Sequence, residues 1–207
     1  MAWKSRQKAL ERLAEGMMKV GAIQFGTFTL TDGEDSSYLV NLRGLPSYPG
    51  VFSAVVESML RVAKSKVSRV DAICSVPVSG LLFAAPLALS LGKPLVYTRS
   101  TGRGSGRTVE GEVRPGWEVM LVDDLASSGK TLLATAGAAR EEGCEVKHAV
   151  VFLDRMEGAR ERLHKDGIAL HAVTDIIELA DTLVALELIG KDDFSKITKT
   201  VGATRRP

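Results

Sequence analysis

Apolar residues near the N-terminus recur three and four apart. Leu10, Leu13, Ala14, Met17 and Met18 fall on one face and predict an amphipathic helix over about residues 3–20. Residues 25–30 and 37–42 read as strands flanking Thr31-Asp32-Gly33-Glu34, whose Asp-Gly pair signals a hairpin. A second helix begins near Pro49, which suits a first-turn position, and carries Phe52, Val55, Val56, Met59 and Leu60 on one face. From there strands and helices alternate: strand 70–76, helix 80–91, strand 95–97, strand 118–122, a helix ending near Gly143, strand 146–153, helix 157–165, strand 168–173 and a last helix from about Asp175. Such alternation predicts an α/β protein built on a mostly parallel sheet with helices on both faces. In that architecture ligands sit beyond the C-terminal ends of the strands, where residues 77–80, 123–131 and 154–155 would converge.

The most chemically loaded stretch is VMLVDDLASSGKT, residues 119–131. It ends an apolar strand on two adjacent carboxylates and follows them with a hydroxyl-rich turn. Ser127, Ser128, Gly129 and Thr131 offer hydroxyls and free backbone N–H groups where the dipole of the next helix is positive, so a phosphate dianion is favoured there. Asp123 and Asp124 would face a sugar. Carboxylates accept hydrogen bonds from vicinal hydroxyls and stabilise positive charge that develops on the ring as a bond at C1 breaks. The SGKT at 128–131 also invites a nucleotide-triphosphatase reading. The glycine that a P-loop places five positions before its Lys-adjacent glycine is here Asp124, which would repel the phosphates, and that reading is rejected. The remaining alternative is a strand, turn and helix whose acids and serines only cap the helix.

The run 119–131 resembles the PRPP-binding motif of type I phosphoribosyltransferases: four apolar residues, two acids, then a Ser/Thr/Gly-rich loop. AIQFGTFTLTDGEDSSYLVNLR (22–43) resembles the hairpin of the orotate phosphoribosyltransferases. The likeness continues in order through SVPVSG (75–80), VYTR (96–99), the PRPP motif and FLDR ending at Arg155, over about four-fifths of the chain. The resemblance implies a type I phosphoribosyltransferase fold in a single domain, 1–207, with a helix and β-hairpin hood over 1–45 and a mobile active-site loop over 98–116. It also implies transfer of phosphoribosyl from PRPP to orotate, with Mg²⁺ held mainly through PRPP oxygens and no dedicated protein ligands. The implied assembly is a cytoplasmic homodimer whose loop reaches the neighbouring site, with no membrane or nucleic-acid partner. The residues expected at PRPP are Val78, Ser79, Arg99, Ser100, Arg103, Ser105, Asp123, Asp124, Leu125, Ala126, Ser127, Ser128, Gly129, Lys130 and Thr131. Asp123, Asp124 and Arg103 would carry the catalysis. Gln24, Tyr38, Leu39, Ser127 and Arg155 are expected at orotate. Arg155 bears most on substrate choice, because a planar guanidinium holds a carboxylate by paired hydrogen bonds and purine bases have no carboxylate to hold. Its competing reading is a surface ion pair with Asp154 or Glu157.

Five positions depart from the family pattern. Ser100, Arg103 and Ser105 stand where the loop usually has Lys, Lys and His; Gln24 and Ser79 each replace a common Lys. Arg103 keeps a positive charge but does not give up a proton near neutral pH. Arg107 and Arg114 could compensate electrostatically. These losses keep two alternatives open: a PRPP-binding regulator with impaired catalysis, or a phosphoribosyltransferase for another base. The regulator is disfavoured because one helix ahead of the hairpin is too short for a helix-turn-helix unit.

Composition changes little in this picture. With 207 residues, 45% hydrophobic and 25% charged, the chain can bury a sizeable core. A net charge of +2 does not argue for nucleic acid. The apolar run 81–91 is helix-length, is interrupted by Pro86 and falls short of a membrane span. Cys74 and Cys144 lack C-x-x-C spacing and read as reduced core thiols, and the three histidines lack ligand spacing.

Overall fold

The computed structural model describes residues 2–29, 35–67, 69–99 and 109–204. In chain order the elements are α1 (Ala2–Lys19), β1 (Ile23–Thr29), β2 (Asp35–Val40), a 3-10 turn (Leu45–Ser47), α2 (Pro49–Lys66), β3 (Ala72–Ser75), α3 (Gly80–Leu91) and β4 (Leu95–Thr98). They continue with β5 (Val109–Glu110), β6 (Glu118–Ala126), α4 (Lys130–Glu141), β7 (Glu145–Asp154), α5 (Ala159–Lys165), β8 (Ala169–Asp175), α6 (Ile176–Ala185) and α7 (Lys191–Thr204). The chain forms two compact units, one of Val56–Val173 and one of Met1–Val55 with Thr174–Pro207.

The larger unit holds a six-stranded sheet in the order β5-β4-β3-β6-β7-β8. β3 pairs in parallel with β4 and β6, and β6 in parallel with β7. Alternating residues along β3 and β6 point to opposite faces, yet Ile73, Cys74, Met120, Leu121 and Val122 are all buried, which is why these strands read as unbroken apolar runs. α3 ends where Gly92 takes the left-handed conformation (φ 61°) and donates its N–H back to the last turn. Cys74 and Cys144 are buried free thiols, and burial pushes the Cys74 thiol up to about 12. No described helix is long and apolar enough to cross a membrane.

The expected elements recur, though β1 begins two residues early, β2 spans 35–40 in place of 37–42 and β3 is shortened to 72–75, and four further differences stand out. The motif strand does not stop at Val122: it runs on to Ala126, because the ten-residue β7 supplies ladder partners as far as Asp154, so both acids ride on the strand. Within the expected 98–116 loop, β5 pairs antiparallel with β4 through Tyr97 and Thr98, and Val109 is buried. α5 begins at Ala159, not 157, because Met156 and Gly158 hold positive φ. The last helix, expected from about Asp175, is two: α6 ends at Ala185 and α7 is a separate fourteen-residue helix; residues 205–207 lie outside the described residues.

In the smaller unit β1 and β2 form the antiparallel hairpin, with Gln24 opposite Leu39 and Phe25 opposite Tyr38; its turn lies outside the described residues. α1 packs on α6, where Arg6 donates to both carboxylate oxygens of Glu178, and Thr174 donates to the same carboxylate at 2.8 Å. α6 is capped by Asp175, whose side chain accepts the Glu178 N–H at 2.8 Å.

Candidate active site

β6 carries Asp123 and Asp124 to its C-terminal end, and both side chains are buried. Each accepts a local backbone bond: the Asp124 N–H donates to Asp123 Oδ1, and the Leu125 N–H to Asp124 Oδ1, both at 2.9 Å. Ser79, from the turn between β3 and α3, places its hydroxyl 3.0 Å from Asp124 Oδ1 and 3.4 Å from Asp123 Oδ1. That closeness depends on Gly80. A Cβ there would stand 2.5 Å from the Val122 carbonyl oxygen and 3.1 Å from Asp123 Oδ1, so only glycine lets the start of α3 rest on the motif strand. The preceding Pro77–Val78 peptide is cis, and Val78 is largely exposed. Burial, and then the charge of Asp124, raises the pKa of the Asp123 carboxyl well above its ordinary value.

After Ala126 the chain turns through Ser127, Ser128 and Gly129 into α4. Gly129 sits at φ 78° against the Cα of Ala159, 3.1 Å from where a Cβ would be. No side chain caps the helix, so its first N–H groups and its positive dipole end face outward for an anion. Three successive carbonyls of this turn are held from one side. Ala126 accepts the Arg155 N–H at 2.8 Å, Ser127 accepts the Ala159 N–H at 3.1 Å, and Ser128 accepts from the Arg162 guanidinium. With those carbonyls drawn toward the segment 155–162, the turn is braced from one side.

That segment also carries Arg155, whose side chain is buried and whose Nη2 lies 2.8 Å from Glu157 Oε1. Asp154 does not join this pair. Its Oδ1 accepts the Met156 N–H at 2.8 Å and its Oδ2 the Arg160 guanidinium at 3.0 Å, while Arg160 also donates to the Leu170 carbonyl. The larger unit therefore sets two buried acids, a hydroxyl-rich turn and a buried guanidinium at the ends of neighbouring strands.

Residues 61–182 match the phosphoribosyl transferase domain family. The orotate phosphoribosyltransferase of Cenarchaeum symbiosum is 42% identical over 181 residues, covering 86% of this chain and 90% of its own. The chain belongs to the orotate phosphoribosyltransferase family. The crystal structure of the orotate phosphoribosyltransferase from Aeropyrum pernix superposes with a TM-score of 0.72 at 35% identity, covering 84% of this chain and 99% of that one. The UMP synthase of Leishmania donovani gives 0.84 at 28% identity over 93% of this chain, which spans 42% of that longer protein.

Among the residues expected at PRPP in this family member, Ser79, Asp123, Asp124 and the turn 125–131 lie together. Arg99 follows β4 directly and is ion-paired with Glu110 of β5 at 2.7 Å. Ser100, Arg103, Ser105 and Arg107 lie outside the described residues. Arg114, a candidate compensating charge, forms an exposed pair with Glu112 at 2.6 Å and lies 5.4 Å over the Trp117 ring. Of the residues expected at orotate, Ser127 and Arg155 belong to the larger unit and Gln24, Tyr38 and Leu39 to the hairpin of the smaller one. Gln24 donates to the Gly21 carbonyl at 3.0 Å, and Tyr38 is fully buried. The histidines do not all stay apart: neighbouring strands bring His148 Nδ1 within 3.1 Å of His171 Nε2. Among the described residues no cluster of three or more His, Cys, Asp or Glu suits a metal ion.

Glu157, Arg160 and Arg162 were not anticipated as functional. Their only sequence signal is the charge density of MEGARER just after the strand that ends in Asp154-Arg155.

Proposed function

We propose that this chain transfers the phosphoribosyl group of PRPP to orotate, releasing pyrophosphate and forming orotidine 5'-monophosphate for UMP synthesis, as a cytoplasmic homodimer. The observation that carries the reading is the bracing of the phosphate turn by the same segment that presents the buried Arg155. A phosphate cradle alone would serve any base. A buried guanidinium beside it selects an acceptor with a carboxylate.

The turn 127–131 binds the 5'-phosphate through backbone N–H groups and hydroxyls at the α4 N-terminus. Asp123 and Asp124 accept hydrogen bonds from the ribose hydroxyls and hold the ring with C1 toward the acceptor. As the C1–oxygen bond to pyrophosphate breaks, its electron pair leaves on that oxygen and positive charge gathers at C1. The buried carboxylates are placed to stabilise that charge in a water-poor site. The ring nitrogen of orotate forms the new bond to C1, and its proton passes to the departing pyrophosphate. Arg155 fixes the acceptor by its carboxylate, which converts encounter into orientation.

The donor set suits magnesium held through the substrate: two carboxylates and a hydroxyl fall short of a protein cage, and Mg²⁺ commonly keeps waters and binds through phosphate oxygens. When bound with PRPP the ion neutralises charge on the departing pyrophosphate. Arg99 and Arg103 would add positive charge beside the departing pyrophosphate.

The test is loss of orotate absorbance with PRPP and Mg²⁺, with adenine, hypoxanthine and uracil as parallel acceptors. Consumption of orotate alone is expected. Consumption of a purine, or of no base despite PRPP binding, would overturn the reading.

A further inference from the structure

Arg155 already has a carboxylate beside it, within ion-pair reach of Nη2 though not aligned on it as a hydrogen bond. Its guanidinium stays charged at any working pH, and a buried charge needs a counter-charge. Glu157 provides one, 2.8 Å from Nη2, with side-chain exposures of 9% for Arg155 and 18% for Glu157. The backbone is shaped for this contact. The Asp154 carboxylate accepts the Met156 N–H, Met156 takes φ 61° and Gly158 φ 94°, and the turn folds Glu157 back on the residue two positions earlier. A non-glycine residue in the left-handed region is uncommon, and such conformations concentrate at functional sites.

We propose that Glu157 is a latch on Arg155: an internal carboxylate that holds the guanidinium and must be exchanged for the carboxylate of the acceptor. The inference rests on Arg155 as the reader of orotate. Binding orotate then replaces one carboxylate by another on the same fork, so the latch weakens orotate binding by the strength of the pair it breaks. An acceptor with no carboxylate, such as uracil, has nothing to exchange and leaves the latch shut. Being nearer the surface than Arg155, Glu157 has solvent to move into when it is released.

The experiment is steady-state kinetics of the full chain carrying Glu157→Gln, Glu157→Ala or Arg155→Gln, with thermal melts to confirm folding. Glutamine keeps an oxygen for the guanidinium but removes the charge that holds it. Glu157→Gln is expected to lower KM for orotate about tenfold while KM for PRPP and kcat stay as they were. Glu157→Ala should move KM for orotate in the same direction. Arg155→Gln should raise it about a hundredfold or more. If Arg155→Gln raises it but neither Glu157 variant lowers it, the latch is wrong and the role of Arg155 stands. If Arg155→Gln leaves it unchanged, the reading of Arg155 fails, and the latch with it.

Discussion

Replacing Asp123 by asparagine should abolish turnover and yet stabilise the protein. Asp123 and Asp124 are both buried, and their Oδ1 atoms lie 3.4 and 3.0 Å from one Ser79 hydroxyl. Two like charges that close, both reaching one hydroxyl, repel by about 3 kcal/mol at an effective dielectric constant of about 20. Asparagine keeps an oxygen for the Asp124 N–H and removes that repulsion. Allowing for imperfect placement of its amide, the gain is about 2 kcal/mol, or roughly 4–8 °C for a chain of this size. The sign follows from the raised pKa of Asp123, caused first by burial and then by Asp124. A carboxyl whose pKa is raised on folding adds stability that is fully present below its unfolded value, about 3.9, and is lost as pH climbs through the raised value. Wild type therefore gives up stability toward neutral pH, and the variant does not. Melting midpoints of both proteins, without ligands, from pH 5 to pH 8 should diverge as pH rises. A variant midpoint at or below that of wild type at pH 8 would refute the argument that the acids are held together at a cost.

Gly80→Ala drives a methyl to within 2.5 Å of the Val122 carbonyl and should cost about 2–3 kcal/mol in a urea melt, together with weaker PRPP binding. Arg162→Ala removes the donor to the Ser128 carbonyl and should raise KM for PRPP about five- to tenfold with kcat little changed, whereas Arg162→Lys should recover most of the loss. An equal KM in the alanine variant would dismiss the brace. His171 is held below the ordinary histidine pKa by burial and then by the charges of His148, Lys66 and Arg160. Its contribution to stability is thus present above about pH 6.5 and is lost as pH falls toward the lowered value; melts of His171→Asn between pH 7 and pH 5 should show a flatter slope than wild type.

The strand, turn and helix of residues 119–131 were legible because local signals carry them: an apolar run, paired acids, hydroxyls and a glycine in left-handed backbone. The bounds of α3 were legible for the same reason, between a glycine its packing requires and a glycine that caps it. The end of β6 was not, since the length of β7 decides how far the ladder runs. β5 is two residues long and becomes a strand only by pairing with β4. The approach of His148 to His171 depends on strands joined by a helix, a separation that spacing rules do not bridge. Nor does sequence show that α6 and α7 share a compact unit with the N-terminal helix and hairpin. The brace on the phosphate turn was hidden for another reason: two of its three donors are backbone N–H groups, which every non-proline residue carries.

That anonymity has a use. Because the main chain of residues 155 and 159 does most of the bracing, the side chains between and around them can vary without loosening the grip on phosphate. A lineage could rewrite Arg155, Met156 and Glu157 to admit a different base and keep its sugar-phosphate handling, provided the chain still bends through 156–158 and no proline arrives at 155 or 159. On the proposed reading, different atoms of one short segment handle what is transferred and what receives it, and a designer seeking new acceptors would begin with residues 155–157, leaving proline out at 155.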